Sequence, residues 1–232
     1  MPDDADSEVP QPVWEGKFDE EGLPHGQGTM KYPPPPTKEE DDEELPGDTF
    51  QGTFEHGKRH GKGKYTWGVN GAVYEGDYCE NKKAGTGKIS FPNKSFYEGQ
   101  WADDKMEGQG LYVYGNGDMY SGSFSAGKRH GQGSYHFKAM VCQLVGEWVD
   151  GGFVQGRWIM KDGSMFYGSF QKQVTPAEGA YYFSTSRWCQ KGKFQDGKWI
   201  PDTEPMFAQV EKLDELVPPS LREPASAPVS TQ

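Results

Sequence analysis

Rings and glycines alternate with polar residues along most of this chain, and the alternation returns at a fixed interval. Tyr74-Glu-Gly76-Asp-Tyr78 sets the pattern, which recurs as Trp14-Glu-Gly16-Lys-Phe18, Phe50-Gln-Gly52-Thr-Phe54, Tyr97-Glu-Gly99-Gln-Trp101 and Tyr120-Ser-Gly122-Ser-Phe124. Weaker copies centre on Gly146, Gly168 and Gly192, and successive central glycines lie 36, 24, 23, 23, 24, 22 and 24 residues apart. A second phrase follows each of the first by about half a period: Gly61-Lys-Gly63-Lys-Tyr65, Gly85-Thr-Gly87-Lys-Ile89, Gly108-Gln-Gly110-Leu-Tyr112 and Gly131-Gln-Gly133-Ser-Tyr135. Period-two alternation is strand geometry. It puts rings and glycines on one face and Glu75, Asp77, Thr86 and Lys88 on the other. A glycine on the ring face leaves room that a neighbouring aromatic can cover.

Turn signals separate the strands. Gly57-Lys-Arg-His60 and Gly127-Lys-Arg-His130 fall within repeats, and Asn70-Gly71, Asn116-Gly117 and Asp162-Gly163 fall between them. Asn-Gly is a strong hairpin signal. The expected unit is a β-hairpin, and the expected fold is all-β: an elongated, single, twisted antiparallel sheet of about eight stacked hairpins with a short C-terminal helix. Some sixteen strands at about 4.8 Å each would span on the order of 75 Å.

The array is expected to fill residues 14–200, behind a disordered acidic segment 1–13. The long step is explained by an insertion at 33–48 (PPPPTKEEDDEELPGD), whose composition reads as a disordered loop. Residues 201–217 carry Phe207, Val210, Leu213 and Val217 at helical spacing and end at Pro218-Pro219. This segment could cap the last strand, as terminal repeats require, or dock in a groove on another protein. Residues 218–232 read as a flexible tail.

These phrases, YEGxW/F followed by HGxGxxxF/Y, resemble the MORN repeat family. The resemblance implies a non-catalytic array that holds other molecules in place; such arrays serve ciliary scaffolds and membrane-junction proteins, and accompany lipid kinases. The opening Trp14-Glu-Gly-Lys-Phe-Asp-Glu-Glu-Gly-Leu-Pro-His-Gly-Gln-Gly28, the run Ser123 to Gly133, and the irregular close from Tyr167 through Glu178-Gly-Ala-Tyr-Tyr-Phe183 to Phe194 are similar to the MORN subunits of the axonemal radial spoke head. That resemblance implies a structural subunit in the cytoplasm and cytoskeleton, in the axoneme of cilia and flagella. Its partners would be other radial spoke head proteins, a second MORN-repeat subunit among them, and the central apparatus surface. The alternative is a MORN-type tether at a membrane or phosphoinositide surface.

Charge sharpens the choice of partner. The formal net charge of −11 averages over unlike segments: residues 1–48 hold 15 acidic and 3 basic side chains, whereas residues 49–200 hold 14 and 19. The body is mildly basic. Lys58-Arg59, Lys82-Lys83, Lys105 and Lys128-Arg129 all fall at the turns within repeats, on one long edge. They read either as solvated residues that deter edge pairing or as a stripe for an acidic partner surface. A modest positive charge beside a long acidic segment argues against nucleic acid and makes a membrane the poorer fit.

The face opposite the rings is polar in the early repeats, but further along it gains Leu111, Val113, Val145, Ile159, Tyr167 and Tyr182. Strands apolar on both faces are usually covered on both, so the C-terminal half is expected to be covered there. Cys79, Cys142 and Cys189 are widely spaced and lack a CxxC pattern, which fits a reducing compartment. His25, His60 and His130 hold one repeat position, just before a glycine, and one histidine per hairpin is not expected to converge on a metal. The Gly-x-Gly phrases sit in strands and lack the helix a phosphate loop needs. No enzyme activity, catalytic residue, metal or cofactor is expected.

Overall fold

The period-two phrases fold as antiparallel strands. A computed structural model describes residues 10–35, 45–171, 175–202 and 204–207, and among these there is no helix. The strands are β1 (Val13–Phe18), β2 (Pro24–Lys31), β3 (Thr49–Glu55), β4 (Lys58–Thr66), β5 (Val73–Cys79), β6 (Lys82–Ser90) and β7 (Phe96–Ala102). They continue as β8 (Lys105–Val113), β9 (Met119–Ser125), β10 (Lys128–Phe137), β11 (Cys142–Val149), β12 (Gly152–Ile159), β13 (Met165–Gln171), β14 (Thr175–Phe183), β15 (Trp188–Gln195), β16 (Lys198–Pro201) and β17 (Met206–Phe207). The chain divides into two compact units, residues 1–105 and 106–232. In the first, β1 to β7 pair in chain order. In the second, β8 to β15 do the same, and β15 then pairs with both β16 and β17.

The register explains the spacing of the repeat. In the first unit Gly16, Gly28, Gly52, Gly63, Gly76, Gly87 and Gly99 stand opposite one another from strand to strand, a row of glycines crossing the sheet. In the second unit the row is Gly110, Gly122, Gly133, Gly146, Gly156, Gly168, Gly179 and Gly192. A ring lies flat along this row. Phe50 covers Gly52 on its own strand and Gly63 on the next, Tyr74 covers Gly76 and Gly87, and Tyr120 covers Gly122 and Gly133. A Cβ at any of these glycines would overlap the ring or the facing backbone.

The flat pose is fixed at the ring's far end. Tyr74, Tyr97 and Tyr120 donate their hydroxyls to the carbonyls of Asp77, Gln100 and Ser123, at 3.1, 2.8 and 2.9 Å. Each ring also meets others edge to face. The centroid separation is 5.2 Å for Phe50–Tyr78, Tyr74–Trp101 and Tyr97–Trp101 in the first unit and for Tyr120–Trp148 in the second. Such a contact contributes about 0.5–1.5 kcal/mol beyond the area it buries. Phe50, Tyr74, Tyr97, Tyr120 and Phe166 are fully buried. A sheet layer thus buries its own core on one face, hairpin against hairpin.

Tight turns set where each hairpin reverses. His56-Gly57, Glu80-Asn81, Asp103-Asp104, Ala126-Gly127, Asp150-Gly151 and Asp196-Gly197 are two-residue turns with positive φ at both positions, the geometry that matches strand twist. The first glycine of each HGxG phrase has positive φ as well, and Gly61 and Gly131 mark the bulge after which the register resumes. The second glycine belongs to the row under the ring.

The insertion grows out of an ordinary inter-hairpin closure. Tyr32 donates its N–H to the Asp48 carbonyl at 2.9 Å, as Phe91 does to Ser95 and Tyr114 to Asp118. Asp48 is therefore a repeat position and not loop. Its carboxylate accepts from the Tyr65 hydroxyl at 2.6 Å and the Gly68 N–H at 2.9 Å. Asp118 does the same for the Tyr135 hydroxyl and the Lys138 N–H, both at 2.9 Å. The helix anticipated at 201–217 is corrected over its described residues, 201, 202 and 204–207, which hold no helix: Lys198–Pro201 and Met206–Phe207 instead satisfy their backbone groups by pairing with β15. The remainder of that segment, and the tail, lie outside the described residues.

Candidate interaction surface

Two surfaces remain once the rings are spoken for: the hairpin-turn edge and the face opposite the rings.

At the turn edge the Lys-Arg dipeptides do not point the same way. The turn is completed before them, at His56-Gly57 and Ala126-Gly127, so they begin a strand, and strand alternation sends the two side chains to opposite faces. The first residue of each pair points outward and meets a carboxylate on the next turn. Lys58 pairs with Glu80, Lys82 with Asp103 at 2.8 Å, and Lys128 with Asp150 at 3.6 Å. The second residue folds over the rings. Arg59 lies 5.2–5.8 Å from the ring centroids of Tyr65, Tyr78 and Phe50. Lys83 lies 5.3–5.7 Å from those of Trp101, Trp67 and Tyr74. Arg129 lies 4.4–5.8 Å from those of Trp148, Tyr135 and Tyr120. Arg59 and Arg129 also donate to the carbonyls of Asn81 and Gly151, at 3.0 and 2.6 Å. The expected basic stripe is thus an edge of alternating sign. Arg59, Lys83 and Arg129 close the ring layer, a role that stacked cations fill well.

The opposite face differs between the two units. In the first it is a charged ladder, with Lys31–Glu15 at 2.6 Å, Lys62–Asp77 and Lys64–Glu75 at 2.7 Å, and Lys88–Glu98 at 3.2 Å. In the second, the six apolar residues singled out from the sequence fall on two neighbouring rows. One row runs Leu111, Ser121, Ser134, Val145, Arg157, Tyr167, Ala180. The other runs Val113, Met119, His136, Gln143, Ile159, Met165, Tyr182, Cys189, Met206. Leu111, Val113, Val145 and Ile159 are half-buried, whereas Tyr167 and Tyr182 are buried. Ala180, Tyr182 and Cys189 form a packed cluster against Met165. Burial pushes the Cys189 thiol up, so it stays protonated near neutrality.

Between Leu111 and Val145 lies a shallow groove lined by Gln109, Ser121, Gln132, Ser134 and Val145. A second hollow on the same unit is lined by Val141, Ile159 and Met160 among others. Met119, Met165, Ala180, Cys189 and Met206 were not legible as members of this band, because a small or sulfur-bearing residue in an irregular phrase carries little pattern. The strand register supplies them.

One cluster of potential ligands stands apart, in the first unit. Asp19, His25 and His56 bring one oxygen and two imidazoles within 4.8 Å of one another. The expectation concerned His25, His60 and His130, one per hairpin; here His25 meets a histidine outside that set. His25 holds the repeat position, but His56 lies in a turn, and adjacent hairpin turns stack: Gly57 donates its N–H to the Pro24 carbonyl at 2.9 Å.

Comparison with known proteins agrees with the repeat. The MORN repeat model matches residues 14–34, 50–71, 74–96, 97–119 and 120–138. The copies centred on Gly146, Gly168 and Gly192 lie beyond the matched segments, yet their hairpins extend the same glycine row. Among solved structures, the SAS-4 TCP domain of Drosophila melanogaster, in complex with a proline-rich motif of Ana2, aligns with 84% of this chain and 96% of its own at 13% identity and a TM-score of 0.40. A mutant TCP10 domain of Danio rerio CPAP aligns with 82% of this chain and 94% of its own at 10% identity and a TM-score of 0.24.

Proposed function

We propose, for a chain that belongs to the MORN repeat family by five repeats between residues 14 and 138, a scaffold function without turnover chemistry, carried out as a subunit of the radial spoke head of motile cilia and flagella. The observation that carries the scaffold reading is the two-row apolar band on the second face of the second unit. On this face Ala180, Tyr182 and Cys189 already pack as a small cluster within the chain. Leu111, Val113, Val145 and Ile159 stay half-buried and have no such cluster around them in the hairpin stack, so they serve a contact beyond it. Charged ladders on the corresponding face of the first unit show that the repeat itself does not require them.

The axonemal reading draws on the same residues. Tyr167, Ala180, Tyr182 and Cys189 belong to the irregular close that is similar to the MORN subunits of the spoke head, and they are also the buried members of the band. The head would use this unit to pack against other head proteins, a second MORN subunit among them, in support of its contact with the central apparatus. The alternative, a tether at an anionic or phosphoinositide membrane, loses support at the turn edge, where Lys58, Lys82 and Lys128 already face carboxylates.

Sedimentation of a high-salt extract of demembranated axonemes tests the assignment. The chain is expected in a large particle together with other spoke components. Recovery in the detergent-soluble membrane fraction, or at the position of a free monomer, would refute it.

A further inference from the structure

The Asp19, His25 and His56 cluster has a construction that the other described hairpin turns lack. Along the turn edge one cation meets one carboxylate, as in Lys82–Asp103 and Lys128–Asp150. At the first step two imidazoles, with ring centroids 5.5 Å apart, share one carboxylate. That carboxylate is held in place. Asp19 Oδ1 accepts the N–H groups of Leu23 at 2.8 Å and Glu21 at 3.0 Å, which leaves Oδ2 to meet His56 Nδ1 at 2.9 Å. The Asp19 side chain is only 9% exposed, against 67% for His56.

The backbone fixes the two turns on which the ligands stand. Asp19 donates its N–H to the Leu23 carbonyl, and Gly57 donates to the Pro24 carbonyl, both at 2.9 Å. Two neutral imidazoles and one carboxylate suit zinc and its first-row neighbours better than magnesium or calcium, which favour all-oxygen shells. Tetrahedral ligands at 2.0–2.2 Å from a zinc ion stand about 3.3 Å apart. His56 Nδ1 already stands 2.9 Å from Asp19 Oδ2, so the exposed His25 ring is the one that must close in, by up to about 1.5 Å, leaving the anchored carboxylate where it is.

We propose that Asp19, His25 and His56 form a three-ligand site for a divalent ion of the zinc type, its fourth position open to solvent. The bound ion would clip the β1–β2 hairpin to the β3–β4 hairpin across the insertion between Tyr32 and Asp48. Closing a long connection is where such a clip gains most, because the open chain has the most freedom to lose.

The test uses the full chain, stripped with a chelator, kept reduced and titrated with Co2+ and separately with Zn2+. The expected result is one saturable equivalent, with the visible absorption of low-coordinate cobalt and a rise in melting temperature on adding zinc. His25→Gln, Asp19→Asn and His56→Asn are each expected to weaken binding at least tenfold, while His130→Gln leaves it unchanged. Asparagine is chosen at position 56 because that residue sits at φ 45°, which asparagine tolerates. Circular dichroism matching the parent excludes misfolding as the cause. Failure to saturate at one equivalent overturns the site. So does unchanged affinity in His56→Asn, or a thiolate-to-cobalt band placing the ion on Cys79, Cys142 or Cys189.

Discussion

Gly133→Ala is the substitution that most directly probes the ring-over-glycine arrangement. A Cβ at Gly133 would lie 2.6 Å from both Cζ and Cε2 of Tyr120, nearer than real Cβ contacts come, so the ring must move. Tyr120 has nowhere open to go. It is fully buried, its hydroxyl donates to the Ser123 carbonyl at 2.9 Å, and its ring meets Phe124 at 5.1 Å and Trp148 at 5.2 Å. Overpacking alone costs about 1–3 kcal/mol. Loss of the buried hydroxyl contact adds about 1 kcal/mol, and loosening two edge-to-face pairs adds about 0.5–1.5 kcal/mol each. With partial relaxation the total is about 3 kcal/mol. For a unit of this size that lowers the melting temperature by on the order of 10 °C. The assay is thermal unfolding followed by tryptophan fluorescence, with a Tyr120→Leu background to close a double-mutant cycle. Gly133→Ala is expected to cost less than about 1 kcal/mol once the ring is gone. An equal cost in both backgrounds, or a single variant melting within 2 °C of the parent by the same scale, would refute the reasoning.

Other outcomes follow from the same geometry. Arg129→Gln, which removes the cation over Trp148 and the bond to the Gly151 carbonyl, is expected to destabilise by about 1–3 kcal/mol in thermal melts. Lys128→Gln next to it breaks only a surface pair and is expected to cost under about 0.5 kcal/mol; equal effects would contradict the split of the dipeptides. Asp118→Ala orphans the Tyr135 hydroxyl and the Lys138 N–H, and Asp48→Ala does the same to Tyr65 and Gly68, so each is expected to cost about 1–3 kcal/mol in thermal or urea unfolding. Alkaline titration of stability reports the buried phenols. Burial first of all, opposed by the nearby Arg129 charge, pushes Tyr120 up to about 12, and burial likewise pushes Tyr74 and Tyr78 up. The unfolded chain ionises near pH 10 while the folded one does not, so this contribution is intact below about 10 and is lost as pH climbs toward 12, by up to about 1.4 kcal/mol per pH unit for each phenol. Melting temperatures flat from pH 9.5 to 11.5 would contradict it.

The repeat declared its strands because ring, polar and glycine positions alternate without interruption, and the step between central glycines located each hairpin. The phase of the turns was less legible. In Glu55-His-Gly-Lys-Arg-His60 either half can be read as the turn, and only the positive φ at His56 and Gly57 puts Lys58 and Arg59 into the strand and on opposite faces. Asp48 looked like the last residue of an acidic loop, since nothing in composition distinguishes it from Glu43 or Glu44; its bonds to Tyr65 and Gly68 do. The meeting of His25 with His56 depends on the stacking of two turns across the insertion, a relation no local pattern contains. By contrast, Val145, Ile159, Tyr167 and Tyr182 were visible from alternation alone, because an apolar residue out of phase with the rings has only the other face to occupy.

The account turns on the second face of β8 to β15 being a contact surface. Leu111→Glu combined with Val145→Glu places charge on the apolar band while leaving every ring and glycine untouched. In ciliated cells lacking the parent chain, this variant is expected to fold with an unchanged melting temperature, yet to sediment apart from the large axonemal particle. A variant that still enters the particle as efficiently as the parent would contradict the account.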